Sequence, residues 1–439
     1  MAELMQIIDA SRSASPQLEA LRSRSLADLP PDLEEATREI VNRVREYGDE
    51  ALVDYTRRFD CPGFSDDRLL VSPEEIQDAY SQVPLEWMGA FRRARENVLR
   101  YHEQLLPRSW LQDFDGLFLG QRVRPLASVG AYVPGGTAPL PSTVCMTVMP
   151  AKAAGVGRIA VATPPSRDGD VNPYIAVAAA ECGVHELYRM GGAQAVAALA
   201  FGTETVEPVD KIVGPGNPYV ILAKKQVFGR VGIEALPGPS EAVIIADDTV
   251  PTSLAAADLL SQAEHTGDNT VILITDSADF AYEVRDEAYQ QVEQLPRQEL
   301  TAQSLADYGA IVVMSDLAAA AELSNQIAPE HLQLLVSEPL VLLEQIENAG
   351  CICLGALTPV PLGDYAAGPS HVLPTNGTAR FSSALSTDDF LKKSSLIYAT
   401  PRGLQRLGTD VCRLAQAEGL EAHARSVQLR LDTEQEGGK

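Results

Sequence analysis

The apolar run Arg158-Ile159-Ala160-Val161-Ala162-Thr163 is followed, after a polar linker, by the alanine-rich run Pro173-Tyr174-Ile175-Ala176-Val177-Ala178-Ala179-Ala180-Glu181-Cys182. A short buried strand and a helix that proline opens make one strand–helix unit. The same unit recurs on both sides. Strands are expected at Ser128–Val133, Glu186–Met190 and Lys211–Val213, with helices at Ser142–Gly155, Ala193–Phe201 and Pro218–Phe228. Alternation of this kind predicts a parallel sheet covered on both faces, with ligands at the carboxyl ends of its strands.

Further along, Ala242–Ala246, Thr270–Thr275, Ala310–Met314 and Cys351–Leu354 read as a second set of buried strands with helices between them. The fold class is therefore α/β, with two Rossmann-like domains built on parallel sheets and small helical segments at both ends. Before the first set, Leu33, Ala36, Ile40, Val41, Val44 and Tyr47 keep helical spacing until Gly48 stops the run. Ser72-Pro73-Glu74-Glu75 is a capping box with proline at the first helical position. A long helix then places Leu85, Met88, Phe91, Val98 and Tyr101 on one side. Residues 1 to about 30 read as an arm rather than core, Phe390 to Arg430 as mainly helical, and Thr433–Lys439 as a mobile tail.

Composition narrows the function. The 439 residues are 45% hydrophobic and 22% charged, as in a globular enzyme, and a formal net charge of −25 argues against nucleic acid or an anionic membrane as partner. Cys61, Cys145, Cys182, Cys351, Cys353 and Cys412 are scattered without a CxxC pair, and no apolar run reaches membrane-spanning length. The acidic start lacks a basic-then-apolar leader, so a reduced, cytoplasmic protein is expected.

Three Gly/Pro loops stand where strands of the first set end: Tyr132-Val133-Pro134-Gly135-Gly136, Gly191-Gly192-Ala193-Gln194 and Gly214-Pro215-Gly216-Asn217-Pro218. Backbone N–H groups in such places can meet a dinucleotide phosphate. None is a G-x-G-x-x-G fingerprint, and no acidic residue follows at the expected distance. Singly each fits a tight turn; together they balance that reading with a non-standard Rossmann-like nucleotide site.

The second set carries the reactive groups. A helix over Thr252–Ala263, capped by Gly267, would carry Gln262 and His265 on one face, where an amide oxygen and an imidazole meet a helix end that favours a cation. A polar helix end facing water is the plainer alternative. Gly238-Pro239-Ser240-Glu241 exposes a hydroxyl, and Ala328-Pro329-Glu330-His331 sets a carboxylate beside an imidazole, as proton transfer or as the favourable Glu of a helix start. Gly363-Asp364 opens a Gly-flanked loop that runs to His371, and Glu418 and His423 come near the end of the chain.

Seven blocks in this order resemble the histidinol dehydrogenase family: YVPGG at 132–136, GPGNPYV at 214–220, GPSE at 238–241, SQAEH at 261–265, APEHLQL at 328–334, GDYAAGPSHVLPT at 363–375 and EGLEAHARS at 418–426. Two departures, Pro237 before GPSE and Cys145 at an aliphatic position, touch no group assigned to chemistry.

The resemblance implies one zinc ion per subunit, held by Gln262, His265, Asp364 and His423, with His371 the nearest competitor to Asp364 and with His102 and His185 outside the set. It implies oxidation of L-histidinol through L-histidinal to L-histidine with two NAD. His331 would remove the hydroxyl proton and Glu330 would activate water. Ser240 and Glu418 would contact substrate alongside the ligands and His331, and Tyr132, Gln194 and Asn217 would contact NAD. A homodimer with shared active sites is implied, Glu418 and His423 crossing to the neighbour. The expected division is an arm over 1–29, a metal and catalytic α/β domain over 30–127 and 238–385, a Rossmann-like NAD domain over 128–237, and a helical segment over 386–439 that meets the partner. Competing readings are a related dehydrogenase of another amino or polar alcohol, a thiol mechanism at Cys145, disfavoured because its apolar neighbours predict a buried helix, and a zinc hydrolase, which has no use for the three Gly/Pro loops.

Overall fold

The computed structural model describes residues 5–10, 30–135, 139–184, 186–265, 267 and 269–437. Most of the expected arm, Gly136 of the first loop and His185 lie outside them. Strands within the described residues are β1 (Gln6–Asp9), β2 (Trp110–Asp113), β3 (Leu117–Pro125), β4 (Ser128–Tyr132), β5 (Arg158–Thr163), β6 (Glu186–Arg189), β7 (Lys211–Val213), β8 (Gly232–Ile233), β9 (Glu241–Ala246), β10 (Thr270–Thr275), β11 (Gly309–Val313), β12 (His331–Leu335), β13 (Cys351–Leu354) and β14 (Leu391–Ala399). The chain forms two units, one of Met1–Leu105 with Leu126–Phe390 and one of Leu106–Pro125 with Leu391–Lys439.

In the first unit, five strands run parallel in the order β6-β5-β4-β7-β8. The crossovers reverse direction between β4 and β7, the switch point where α/β sheets place ligands. Helices Pro141–Ala154, Pro173–Glu181, Gly192–Phe201 and Pro218–Val227 connect the strands, each within a residue or two of its expected span. Nearly every residue of Gly192–Phe201 is buried, because helix Pro31–Phe59 covers it; Val44, Leu52, Ala198 and Leu199 share one core. Gly48 bends that covering helix without ending it: its backbone (φ 55°, ψ −130°) kinks the helix, and Glu204 accepts the freed N–H of Asp49 at 2.8 Å. The capping box at Ser72 forms as expected, with both reciprocal hydrogen bonds present.

The same unit holds a six-stranded parallel sheet, β1-β11-β10-β9-β12-β13. Its middle strands β9, β10 and β11 are buried along their whole length, as two-sided cover requires. Two strands were not legible. β1 falls in the expected arm, yet Met5 and Ile8 are buried where it pairs with the open edge of β11. β12 carries His331 and Gln333 inside the core, which hides its apolar pattern; Gln333 is accommodated by a hydrogen bond from its Nε2 to Asp258 Oδ2 at 2.6 Å. In helix Leu85–Gln104 the buried side is Met88, Phe91, Ala94, Val98 and His102, while Leu85 and Tyr101 face outward.

The second unit adds a strand to the terminus expected to be mainly helical. Leu391–Ala399 is a strand paired antiparallel over nine residues with β3, and β2 completes the sheet. Its sequence shows no strand period, and its partner lies far away in the chain. Helices Pro401–Ala417 and Glu421–Gly437 follow as a hairpin closed by Cys412, Ala415 and Ala424, and the second of them takes up most of the expected tail. Among the described residues no helix is long and apolar enough to cross a membrane.

Candidate active site

β9 and β12 are neighbours in parallel, with His331 opposite Ala242, and β13 lies on the other side with Cys351 opposite His331. Ser240, Glu330 and His331 therefore gather at the amino edge of this sheet, not at the carboxyl edge that its α/β pattern suggests. Helix Leu317–Ile327 ends at Ala328, whose φ of 54° is left-handed backbone rarely taken by a residue with a Cβ, and Pro329 then turns the chain into β12. Strain of this kind next to reactive groups is typical of functional sites. The turn also needs Gly350, since a Cβ there would stand 2.6 Å from the carbonyl oxygen of Glu330.

The pair is a strand start rather than a helix start, and its two members do face each other. His331 Nδ1 stands 3.7 Å from Glu330 Oε2, and His331 Nε2 stands 3.3 Å from Asp364 Oδ1. Glu330 Oε2 also accepts the N–H of Glu241 at 2.9 Å, and the Ser240 hydroxyl bonds the same carboxylate. Burial pushes the Glu330 carboxyl up to about 7. Burial alone would lower His331, but the two carboxylates outweigh it and raise the imidazole to about 9. Asp364 is held below its ordinary value: burial opposes this, and the hydrogen bond and charge of His331 overcome it. Glu330 is thus shifted toward its protonated form and His331 toward its charged one, an arrangement that makes the two a candidate proton-transfer pair.

Asp364 sits in a single π-helical turn, Gly363–Ala367, a wide turn that recurs at functional sites. Asn97 pins that turn from helix Leu85–Gln104 by donating to the Ala366 carbonyl at 2.9 Å. His371, the competing ligand, has both ring nitrogens engaged, Nδ1 with the Asp364 carbonyl at 3.0 Å and Nε2 with Thr143 Oγ1 at 3.1 Å. Gln262 and His265 part company from the expected shared face. The helix ends at Ala263, so Gln262 lies buried in its last turn while His265 follows beyond the end, exposed, and Gly267 is not its cap. His265 nevertheless remains within electrostatic reach of both Asp364 and His331. Its ring makes no hydrogen bond among the described residues, and the main-chain carbonyl of Gln262 accepts from the Asn269 side chain at 3.0 Å. Among the described residues no three His, Cys, Asp or Glu side chains are grouped closely enough to hold a metal by themselves. The expected set includes an amide, and its fourth member, His423, belongs to the other unit. There Glu418 ends the first helix of the hairpin and His423 lies in the first turn of the second, both exposed on their own unit.

The three expected cofactor residues meet at the carboxyl edge of the five-stranded sheet. Tyr132 ends β4, is buried, and accepts the N–H of Gly192 on its hydroxyl at 3.1 Å; burial pushes it up to about 12. Gln194 is buried in the first turn of helix Gly192–Phe201. Asn217 is exposed and caps the next helix, accepting from Val220 N–H at 3.1 Å. Sequence reasoning passed over the clamp on the third loop. Lys224, fully buried, donates to Glu234 Oε1 at 2.7 Å and to the Gly214 carbonyl at 3.1 Å, while Glu234 accepts the Gly214 N–H at 2.7 Å. Gly214 itself (φ 112°) lies so close to Tyr132 that a Cβ would stand 2.1 Å from its carbonyl oxygen. A lysine seven residues into a helix gives no hint in the sequence of an acid sixteen positions from Pro218.

A parallel α/β frame with dinucleotide-type loops on one sheet and a buried acid–imidazole pair on another is the build of a dehydrogenase, and comparison places this oxidoreductase among known proteins. The family model described as histidinol dehydrogenase matches residues 23–431, so the chain belongs to the histidinol dehydrogenase family. It is 54% identical over 394 residues to the histidinol dehydrogenase of Moorella thermoacetica, covering 90% of this chain and 93% of that one. With the histidinol dehydrogenase of Bacillus subtilis it shares 50% identity, over 90% of this chain and 92% of the other. The crystal structure of histidinol dehydrogenase from Elizabethkingia anophelis superposes with a TM-score of 0.94 at 35% identity, covering 99% of both chains.

Proposed function

We propose that the chain oxidises L-histidinol through L-histidinal to L-histidine, the end of histidine biosynthesis, using two NAD and one zinc ion per subunit. The observation that carries this reading is the Glu330–His331 pair with Asp364 at its side, one acid–base couple next to one candidate ligand. The donor set suits a borderline cation: the Asp364 carboxylate, the Gln262 amide, the His265 imidazole, which makes no hydrogen bond among the described residues, and His423. The engagement of both His371 nitrogens supports Asp364 as the ligand in that loop. When bound, zinc would orient the substrate by its amine and imidazole rather than generate hydroxide.

The residues themselves then account for the chemistry. His331 turns Nε2 toward Asp364 and Nδ1 toward Glu330; in its neutral form the imidazole takes the hydroxyl proton while the carbinol carbon gives hydride to the nicotinamide of the first NAD. Glu330, 3.7 Å from Nδ1, offers its charge to the imidazole and, once the aldehyde has formed, takes the proton of the water that adds to it. His331 acts again as the hydrated aldehyde gives its hydride to the second NAD, leaving the carboxylate. Ser240 and Glu418 contact the substrate, Glu418 offering a negative charge to its amine. Tyr132, Gln194 and Asn217 contact NAD within residues 128–237, and residues 30–127 with 238–385 carry the metal and catalytic groups. Residues 386–439 meet the partner of a cytoplasmic homodimer and hand Glu418 and His423 to its site.

The test is NADH released per L-histidinol, before and after chelation and zinc repletion. Two NADH, lost on chelation and restored by zinc, are expected. No NADH from histidinol by the zinc-loaded chain would point instead to another alcohol as substrate, and one NADH would remove the role given to Glu330.

A further inference from the structure

We infer that Asp60, whose carboxylate lies next to Gly191, and Thr163, at the end of β5, receive the adenosine ribose of NAD, and that Asp60 sets the preference for NAD over NADP. The inference rests on the NAD-dependent reading above and adds a residue to it. In the order β6-β5-β4-β7-β8, β4 is the first strand of a Rossmann half and β5 the second. Dinucleotide sites of this build place a carboxylate near the end of the second strand, where it accepts from the ribose 2′-hydroxyl. Here the last residue of that strand is Thr163, and its sequence neighbourhood offers no acid in that place.

The carboxylate arrives from outside the strand–helix units. Asp60 ends helix Pro31–Phe59, and its side chain reaches the same loop cluster: a Cβ on Gly191 would stand 3.3 Å from Asp60 Oδ2 and 2.7 Å from Pro164 Cβ. Gly135 also meets Pro164, and a Cβ on it would stand 3.0 Å from Thr163 Oγ1. Asp60 Oδ2 and Thr163 Oγ1 are both buried without a hydrogen-bond partner among the described residues. Orphaned polar atoms are rare and call for a partner that the chain alone does not supply.

The plainer role for Asp60, a countercharge at the start of helix Gly192–Phe201, leaves this unexplained, because the Gly192 N–H goes to Tyr132 and not to Asp60. A carboxylate with a vacant acceptor suits a ribose hydroxyl and repels a 2′-phosphate.

Titration calorimetry of the full-length chain with NAD, NADP and ADP-ribose, without alcohol, tests the assignment. Asp60→Asn should weaken NAD and ADP-ribose alike by about tenfold or more, the loss of a hydrogen bond to a charged group. NADP should be unaffected or tighter, so the preference narrows. Thr163→Val should weaken NAD a few-fold, and carries the test alone if Asp60→Asn does not fold. A folded Asp60→Asn chain with parental affinity and parental preference would overturn the inference, as would parental NAD affinity in Thr163→Val where that variant stands alone. A parental chain that binds neither NAD nor ADP-ribose would instead defeat the functional reading on which the inference rests.

Discussion

The two parallel sheets of the first unit offer opposite edges to chemistry. The five-stranded sheet presents its carboxyl edge: Tyr132 ends β4, and Gln194 and Asn217 follow β6 and β7 in loops that become helix starts. The six-stranded sheet presents its amino edge, where Ser240, Glu330 and His331 stand at or just before β9 and β12. Helix starts supply N–H groups and partial positive charge, which suit the phosphates of a cofactor. Strand starts in the other sheet supply no such field. They supply instead a low-dielectric pocket in which a carboxyl and an imidazole shift each other's proton affinity, as Glu330 and His331 do. On the proposed reading, similar architecture serves binding at one edge and proton transfer at the other.

The sharpest way to break this contrast is to remove the proton acceptor. His331→Asn should lower kcat by about a hundred- to ten-thousandfold, with NAD affinity unchanged because the cofactor edge is intact. Glu330→Gln should harm oxidation of histidinal more than that of histidinol. Steady-state rates with each substrate check both, and a His331→Asn enzyme that kept a tenth of its activity would remove the amino edge from the reaction.

Next in size is the clamp at the cofactor edge. Lys224→Met leaves Glu234 buried with no compensating charge, which costs about 3–5 kcal/mol and should appear as a clear fall in melting temperature. The freed Gly214 loop should raise the KM for NAD, while kcat at saturating NAD stays near the parental value. A loss confined to kcat would mean that the two edges are not separable.

The balance of what the sequence discloses follows the same contrast. The carboxyl-edge loops were legible because Gly and Pro must stand where backbone turns sharply between a strand and a helix, and the strands before them are continuous apolar runs. β12 was not, because its start is given over to Glu330 and His331 and its middle to Gln333, and burial of polar groups erases the apolar signal that marks a strand. β14 and β1 were missed for a different reason: each is stabilised by a ladder to a distant partner, β3 and β11, and local sequence carries no trace of such pairing. The candidate ligands and acid–base groups were named through the seven matching blocks; spacing alone misjudged Gln262 and His265, whose helix ends between them.

A smaller effect probes how the edges communicate. His371 joins Thr143, on the helix that follows the first cofactor loop, to the carbonyl of Asp364. His371→Ala should leave the Asp364 carboxylate in place but poorly oriented, weakening zinc about ten- to a hundredfold, as loss of an outer hydrogen-bond partner commonly does. Metal content after dialysis against graded chelator reads this directly; parental zinc retention would show that the two sheets are joined there without consequence.

The smallest effect is expected at Cys145, on that same helix one turn from the cofactor loops. It is buried, and it lies against Cys182, whose thiol is raised well above its ordinary value by burial. A thiol so placed is a small apolar residue rather than a nucleophile. Cys145→Ala should therefore keep both NADH per histidinol and its rate, at a stability cost of about 1 kcal/mol. An inactive but folded Cys145→Ala chain would move the covalent chemistry to the carboxyl edge of the five-stranded sheet, and the division of labour between the edges would fall with it.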